Sequence, residues 1–417
     1  MGHPVASGVK VVPMGVAHDI AYSATRDWCS WDRMYGREYL VPYYVVFSQE
    51  KVAEIARITE RAYGIFQKAL RFVQAKVPDE YLVHQLGVPH PLIDAARSCV
   101  PYTGITRFDL ALVDNNMYIL EYNADTPTGV VETAYVACDV IRRFSHYQNP
   151  SAQMNRLIHE SLAQLISYYR AAGHNGSIVF SAAGRNEEDK GTVLYTRQQL
   201  QLQTEYADLE DLRVDRDGLY AQDKKVDIWY RLYPWEHLPH DIDESGFPTG
   251  EYLLEFIANG QLRTISAPQE IIMQSKGLQA FIWELAELKS PLFTVEDREF
   301  IQRYFLPSAF AADYFLNKQM AYVSKPFFGR EGGAVTLFDG SGNVEERDGE
   351  AHYWEQPMLF QKRVELPNVQ IETEEGRIDG YLLVGSFCVG GKYAGVLPRI
   401  GGKITGNLSC FAPAAME

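Results

Sequence analysis

Between residues 49 and 76 the apolar side chains Ile55, Ile58, Ala62, Ile65, Ala69 and Phe72 recur at steps of three and four, and Ser48 stands where a helix cap belongs. This spacing predicts an amphipathic helix. A second is predicted over 151–173, begun by Ser151 and ended by Gly173, with the stripe Met154, Leu157, Ile158, Leu162, Leu165 and Tyr169. The apolar run at 178–180 reads as a strand, and a third helix is expected over 271–288 through Leu278, Phe281, Ile282 and Leu285. Residues 106–123, 322–338 and 381–399 read as strand pairs joined by Gly or Asn turns. The expected fold is α+β or mixed α/β, with a strand-rich C-terminal third. No repeat or low-complexity linker divides the chain, so its parts are expected to pack as one body.

Composition narrows the classes. With 417 residues, 46% hydrophobic and 22% charged, the balance is that of a globular protein. No apolar run approaches the ~20 residues that cross a bilayer. The N-terminal MGHPVASGVKVVPMG has no signal-peptide core, so a cytoplasmic location and no membrane partner are expected. The formal charge of −15 argues against nucleic acid, whose phosphates need basic surface, and is compatible with a cationic substrate. Cys29, Cys99, Cys138, Cys388 and Cys410 are scattered and never spaced as CxxC, which predicts neither a disulfide framework nor a zinc site. The sequence leaves the oligomeric state open.

The most informative stretch is RFDLALVDNNMYILEYNADTPTG, residues 107–129. If Asp114-Asn115-Asn116 form a three-residue loop, Val113 faces Met117, Asp109 faces Glu121 and Arg107 faces Asn123, all on one sheet face. A two-residue loop is expected to break this cluster. Two opposed carboxylates repel unless a cation lies between them, and Asp109, Glu121 and the Asn123 amide are the oxygen donors that a hard Mg²⁺ ion takes. The competing reading is a solvated, charged hairpin face with Arg107 paired to one carboxylate. The polar run Asn123-Ala124-Asp125-Thr126-Pro127-Thr128-Gly129 adds hydroxyls and turn N–H groups beside it.

Two further segments carry chemistry. Lys325-Pro326-Phe327-Phe328-Gly329-Arg330-Glu331-Gly332-Gly333 reads as a strand entering a glycine loop whose N–H groups can bend toward an anion, with Lys325 and Arg330 adding charge. It is neither a P-loop nor a dinucleotide fingerprint. Arg399 closes a hairpin with a Gly390-Gly391 turn, where its fork can clamp a carboxylate or phosphoryl group. Gln361, Lys362, Arg363 and Val364 offer an edge suited to adenine, and Glu187-Glu188, in a stretch (GRNEEDKG) that reads as a loop, can both reach a cation.

Together these segments resemble the glutathionylspermidine synthase family, whose synthetase part is a circularly permuted ATP-grasp ligase. The family's Arg-Phe-Asp matches Arg107-Phe108-Asp109, and its Glu-Tyr-Asn-Ala-Asp matches residues 121–125. Its Lys-Pro-x-x-Gly-Arg-x-Gly matches residues 325–332, and its Gly-Gly-x-Tyr-x-Gly-x-x-x-Arg hairpin matches residues 390–399. The 229–236 segment (WYRLYPWE) and Ser275-Lys276 also match. The resemblance runs from about residue 100 to the C-terminus, with acidic ligands first and ATP-gripping lysines last.

This resemblance implies an N-terminal, largely helical cap (1–100), a metal- and substrate-binding part (101–300) and an ATP-binding lid region (301–417). It implies ATP and Mg²⁺, with two ions, as cofactors, and a peptide-like carboxylate and an amine as substrates. Asp109, Glu121 and Asn123 correspond to the metal ligands. Lys276, Lys325, Glu331, Gly332, residues 361–364, Ile404 and Thr405 correspond to nucleotide contacts. Arg107 and Arg399 correspond to the arginines holding the carboxylate and its acyl phosphate, and Thr126, Thr128, Glu187 and Glu188 to substrate contacts. Leu232 departs from a substrate-binding threonine and Leu383 from a glutamine. The implied reaction is amide formation through an acyl phosphate. A phosphotransferase and a catalytically idle polyamine- or nucleotide-binding protein remain the rivals.

Overall fold

The computed structural model describes residues 3–101, 103–349 and 352–417. Its central sheet is antiparallel and joins the two ends of the chain. In order it holds Cys410–Phe411, Lys392–Gly401, Gly376–Val389, Ile105–Val113 and Asn116–Asn123, with Asn368–Thr373 paired to the long third strand. The early hairpin and the late hairpin thus lie edge to edge, Gly385 opposite Asp109 and Phe387 opposite Arg107.

Alternation in these strands sorts their side chains. Phe108 and Tyr122 stack with ring centroids 4.1 Å apart and meet Phe66 of the helix Gln49–Lys76. Arg107, Asp109, Glu121 and Asn123 point to the opposite face. The helix buries Ile55, Ile58, Ala62, Ile65 and Ala69, and the Ser48 side chain accepts from Lys51 N–H, so both its stripe and its cap follow the expected pattern. Each fully buried Ile or Phe side chain contributes about 1.5–3 kcal/mol, and each alanine less, which fixes the sheet on its apolar side.

Among the described residues three larger sheets accompany this one, beside a two-stranded pair of Arg33–Met34 with Arg37–Glu38. Ser177–Ala182 pairs in parallel with Lys224–Leu232 and Glu205–Tyr206, and Lys224–Leu232 also pairs in parallel with Arg263–Ile265. A lid sheet holds Ser308–Ala309, Met358–Lys362, Tyr322–Pro326, Thr336–Phe338 and Val344–Arg347. A fourth combines His3–Ala6, Val9–Pro13 and Tyr43–Phe47 with Ala414–Met416, so the last strand completes an N-terminal sheet. Among the described residues no helix is long and apolar enough to cross a membrane.

Local chemistry moved three expected elements. The second helix runs over Met154–Ala171 with Gln153 in the cap position, because Ser151 is engaged elsewhere: its Oγ accepts from Val396 N–H at 3.1 Å. Gly173 still ends it, at φ +100°. The third breaks into Glu270–Gln274 and Lys276–Glu287, since Ser275 is extended and its hydroxyl caps the second piece by accepting from Gly277 N–H. The segment around Glu187 and Glu188 is not a loop. Asn186 accepts from Asp189 N–H and caps a helix, Glu187–Gln199, whose first turn carries Glu187, Glu188 and Asp189. Carboxylates there favour the helix dipole, which is the reason this polar stretch folds as it does.

The early hairpin holds the expected cluster by a different route. Its turn has two residues, Asp114 at φ +54° and Asn115, pairing Val113 with Asn116. A bulge at Leu120 supplies the residue that the turn lacks. Below it Asp109 faces Glu121 and Arg107 faces Asn123.

Candidate active site

All the site residues inferred from the sequence line a single cavity of about 840 Å³ between the central sheet, the lid sheet and the acidic helix. At its floor Arg107 Nε donates to Asp109 Oδ1 at 2.8 Å, and Arg399 Nη2 donates to Asp109 Oδ2 at 2.7 Å. Gly385, between them in the sheet, makes this possible, because a Cβ there would meet Arg107 Cδ at 3.0 Å and Leu397 Cβ at 3.1 Å. Burial works against charge on Asp109, but Arg107 and Arg399 outweigh it and hold its carboxyl well below the ordinary range. Asn123 Nδ2 lies 3.4 Å from Asp109 Oδ2 and 3.5 Å from Glu121 Oε1. Three oxygen-bearing side chains therefore converge, and the donor set fits a hard divalent ion once the Asn123 amide turns its oxygen inward.

Lys276 opens its helix beside this floor because Ser275 breaks the preceding one. Its Nζ lies 3.4 Å from Glu121 and donates to Gly329 O in the lid loop at 2.8 Å. Lys325 Nζ donates to Gln361 Oε1 at 2.9 Å across the lid sheet. Burial lowers the Lys325 pKa to about 8, helped by Lys276 and opposed by Glu121 and Asp109. In the loop, Glu331 and Gly332 have φ of +54° and +76°, and a Cβ on Gly332 would lie 2.7 Å from Thr405 O. Two lysines, a left-handed turn packed on Ile404 and Thr405, and the 361–364 edge form a cradle that fits a nucleoside triphosphate.

The far end is acidic. Burial, with nearby Glu132 and Asp189, pushes the Glu188 carboxyl up to about 8 against the opposing pull of Thr128. Burial likewise pushes Asp189 up to about 6. Glu187 is exposed and, among the described residues, accepts from Ser30 alone, at 3.4 Å, so the helix separates a pair that a loop would have kept together.

The family model for the glutathionylspermidine synthase preATP-grasp domain matches residues 17–417. The chain belongs to that family. A Haemophilus influenzae relative named "Putative acid--amine ligase" is 27% identical over 385 residues, covering 87% of each chain. A glutathione synthetase-like effector from Globodera pallida, in its apo form, superposes with a TM-score of 0.58 at 12% identity, over 97% of this chain and 99% of that one. This likeness supports the fold, a mixed α/β ATP-grasp-type architecture. The family places the protein in the C–N ligase class.

Within this family member several residues matter that sequence motifs alone did not assign. Arg330 does not point a free charge at the cavity: it donates to Glu236 Oε1 at 2.9 and 3.1 Å and to Thr126 Oγ1 at 2.6 Å, tying the glycine loop to the floor. Asp125 is fully buried, paired with Arg231 at 2.8 Å and accepting from Trp235 N–H. Gln274 Oε1 accepts from the N–H groups of Ala124 and Asp125, so the turn after Asn123 is held from two sides. Glu132, wholly buried, accepts at one oxygen from Trp31 and Tyr39. Arg231 and Glu236 lie in the matched WYRLYPWE segment, where their charge inside an aromatic run was the available signal. Glu132 left none, since its partners lie about a hundred residues away.

Proposed function

We propose that the protein is an ATP- and Mg²⁺-dependent acid–amine ligase that activates a small carboxylate as an acyl phosphate. The observation that carries this reading is that one cavity gathers Lys276 and Lys325 beside the glycine loop, the Asp109, Glu121 and Asn123 floor, the pair Arg107 and Arg399, and the carboxylates of Glu187 and Glu188. Asp109, Glu121 and Asn123 would hold magnesium, which when bound neutralises phosphate charge. Lys276 and Lys325 bind the triphosphate, with residues 361–364 beside the base. Arg107 and Arg399 orient the substrate carboxylate, whose oxygen attacks the γ-phosphorus as the bond to the β-phosphate oxygen breaks and ADP leaves.

The amine nitrogen then attacks the acyl carbon. The C–O bond to phosphate breaks, the amide forms, and the amine's surplus proton leaves with phosphate or water. Arg107 and Arg399 stabilise the oxyanion that develops on the carbonyl oxygen. Glu188, with Glu132 behind it, attracts the amine while it is cationic; the ammonium gives one proton to water before its neutral nitrogen attacks. No enzyme nucleophile takes part. A peptide-like carboxylate fits the size and mixed polarity of the cavity.

Isotope transfer tests the acyl phosphate. With ¹⁸O in the substrate carboxylate, one labelled oxygen per turnover appears in released phosphate. Unlabelled phosphate excludes the intermediate.

A further inference from the structure

The segment 31–39 lies outside all four matched motifs, yet it lends the cavity Trp31, Met34, Tyr35 and Tyr39, a largely aromatic wall. Two contacts set this wall beside the acidic helix. A Cβ on Gly191 would meet Trp31 Cζ3 at 2.2 Å, so the indole packs against the helix backbone, and the Ser30 hydroxyl donates to Glu187 at 3.4 Å. Glu187, Glu188 and Asp189 line the cavity from that helix. Carboxylates beside rings are complementary to a cation that carries a hydrocarbon arm.

Tyr35 is the least ordinary member of the wall. It stands at the tip of the hairpin in which Met34 pairs with Arg37, so the turn is Tyr35-Gly36, at φ +53° and +71°. Such a turn favours Asn-Gly, and tyrosine takes its first place at a conformational cost. The residue is 66% exposed, so packing within the chain does not offset that cost. The hairpin has its own anchors at the base. The N–H groups of Tyr39 and Leu40 both donate to Asp32 O at 3.0 Å, Arg26 binds the Asp32 carboxylate at 2.8 Å, and Arg33 pairs with Glu374 at 2.9 Å. An exposed ring held in a disfavoured conformation on a cavity wall is the mark of a ligand contact.

We propose that Tyr35 is a specificity-determining residue for the amine acceptor: its ring covers the far part of a hydrocarbon arm whose ammonium lies at Glu188. Strand residues rise roughly 3.3 Å each. A tip four positions from both Trp31 and Tyr39 therefore meets carbons distant from the nitrogen, while Trp31 and Tyr39 meet the near ones. The acceptor class is a primary amine with a long apolar arm. The inference rests on the acceptor lying at the acidic end, as proposed above.

Calorimetric binding of butan-1-amine and octan-1-amine, to protein holding an unhydrolysable ATP analogue plus Mg²⁺, separates the two claims. The unsubstituted protein binds octan-1-amine about tenfold or more tighter than butan-1-amine, from the added methylenes it covers. Tyr35→Asn, which removes the ring and suits the turn, cuts that ratio to about threefold or less. It leaves butan-1-amine and analogue binding unchanged and the melting temperature equal or higher. Tyr35→Phe keeps the full ratio. Glu188→Gln weakens both amines alike. If both amines bind through Glu188 but with equal affinity, or if the ratio survives Tyr35→Asn, Tyr35 has no part in specificity and the acceptor reading stands. A melting temperature that falls in Tyr35→Asn along with the ratio makes the residue structural and also overturns the proposal. If neither amine binds, or Glu188→Gln binds both unchanged, the acceptor reading itself falls.

Discussion

Arg399 Nη2 lies 2.7 Å from Asp109 Oδ2, so the last motif of the chain closes onto the first. Residues 290 positions apart share one buried carboxylate because the two end hairpins are adjacent in one sheet. Asp109 neutralises Arg107 and Arg399, and under the proposed function it has a second task, completing the oxygen-donor set for the metal.

Those tasks separate by substitution. The Asp109 side chain is 2% exposed and that of Glu121 25%. Asp109→Ala leaves two arginines without their carboxylate and destabilises the fold by about 3–5 kcal/mol, the scale of a broken buried pair. Glu121→Gln keeps the melting temperature within a few degrees and lowers Mg²⁺-dependent turnover by about 10²-fold or more, as expected for loss of a metal ligand that stabilises transferring phosphate. Denaturant melts beside Mg²⁺ titrations of turnover check both. Equal stability of the two variants would remove the arginine argument.

Lys325 gives a pH dependence of definite sign. Its pKa is lowered to about 8, so its ammonium is charged below that pH and neutral above it. In the proposed function it is the charged form that binds triphosphate. Therefore kcat/KM for ATP is full near pH 7 and declines as pH rises through about 8, reporting the free enzyme. Lys325→Arg stays charged and flattens the decline over this range. A decline that persists in the arginine variant assigns it to another group.

Gly332 has φ +76° and no room for a methyl group against Thr405 O. Gly332→Ala is expected to raise the KM for ATP about tenfold, because the loop must shift off the phosphates, with a stability cost above the ordinary ~1 kcal/mol of such a change. Steady-state kinetics with ATP as the varied substrate checks this, and an unchanged KM removes the phosphate-cradle role from the loop.

The acidic helix makes Glu188 and Glu187 unequal. Glu188→Gln raises the amine KM strongly and spares that for ATP, whereas Glu187→Gln, at an exposed position, changes either by less than about twofold. The two single variants, each assayed against both substrates, decide it. Equal effects would restore the pair as a unit.

The layout of the site was legible where sequence carries local signals. Turn chemistry and alternation pair Asp109 with Glu121 from the sequence, although the turn is one residue shorter than they predict and the Leu120 bulge compensates. A bulge leaves little trace in sequence, because an extra residue in a strand looks like an extra residue in its turn. Asn186 followed by three acidic residues was a helix start in plain view, but its polarity resembled a loop. Ser275 in the middle of an apolar run was likewise a cap signal. Ser151 misled because tertiary contact with Val396 claimed its hydroxyl, and Trp31–Glu132 was beyond reach because only folding brings 31 and 132 together.

ADP release measured against paired carboxylates and amines, with the mass of the product, tests the central claim most directly. Release that requires both partners, stops in Glu121→Gln, and yields a product equal in mass to acid plus amine minus water is the predicted result. ADP release that needs no amine and leaves a stable phosphorylated product would contradict ligation and make the protein a phosphotransferase.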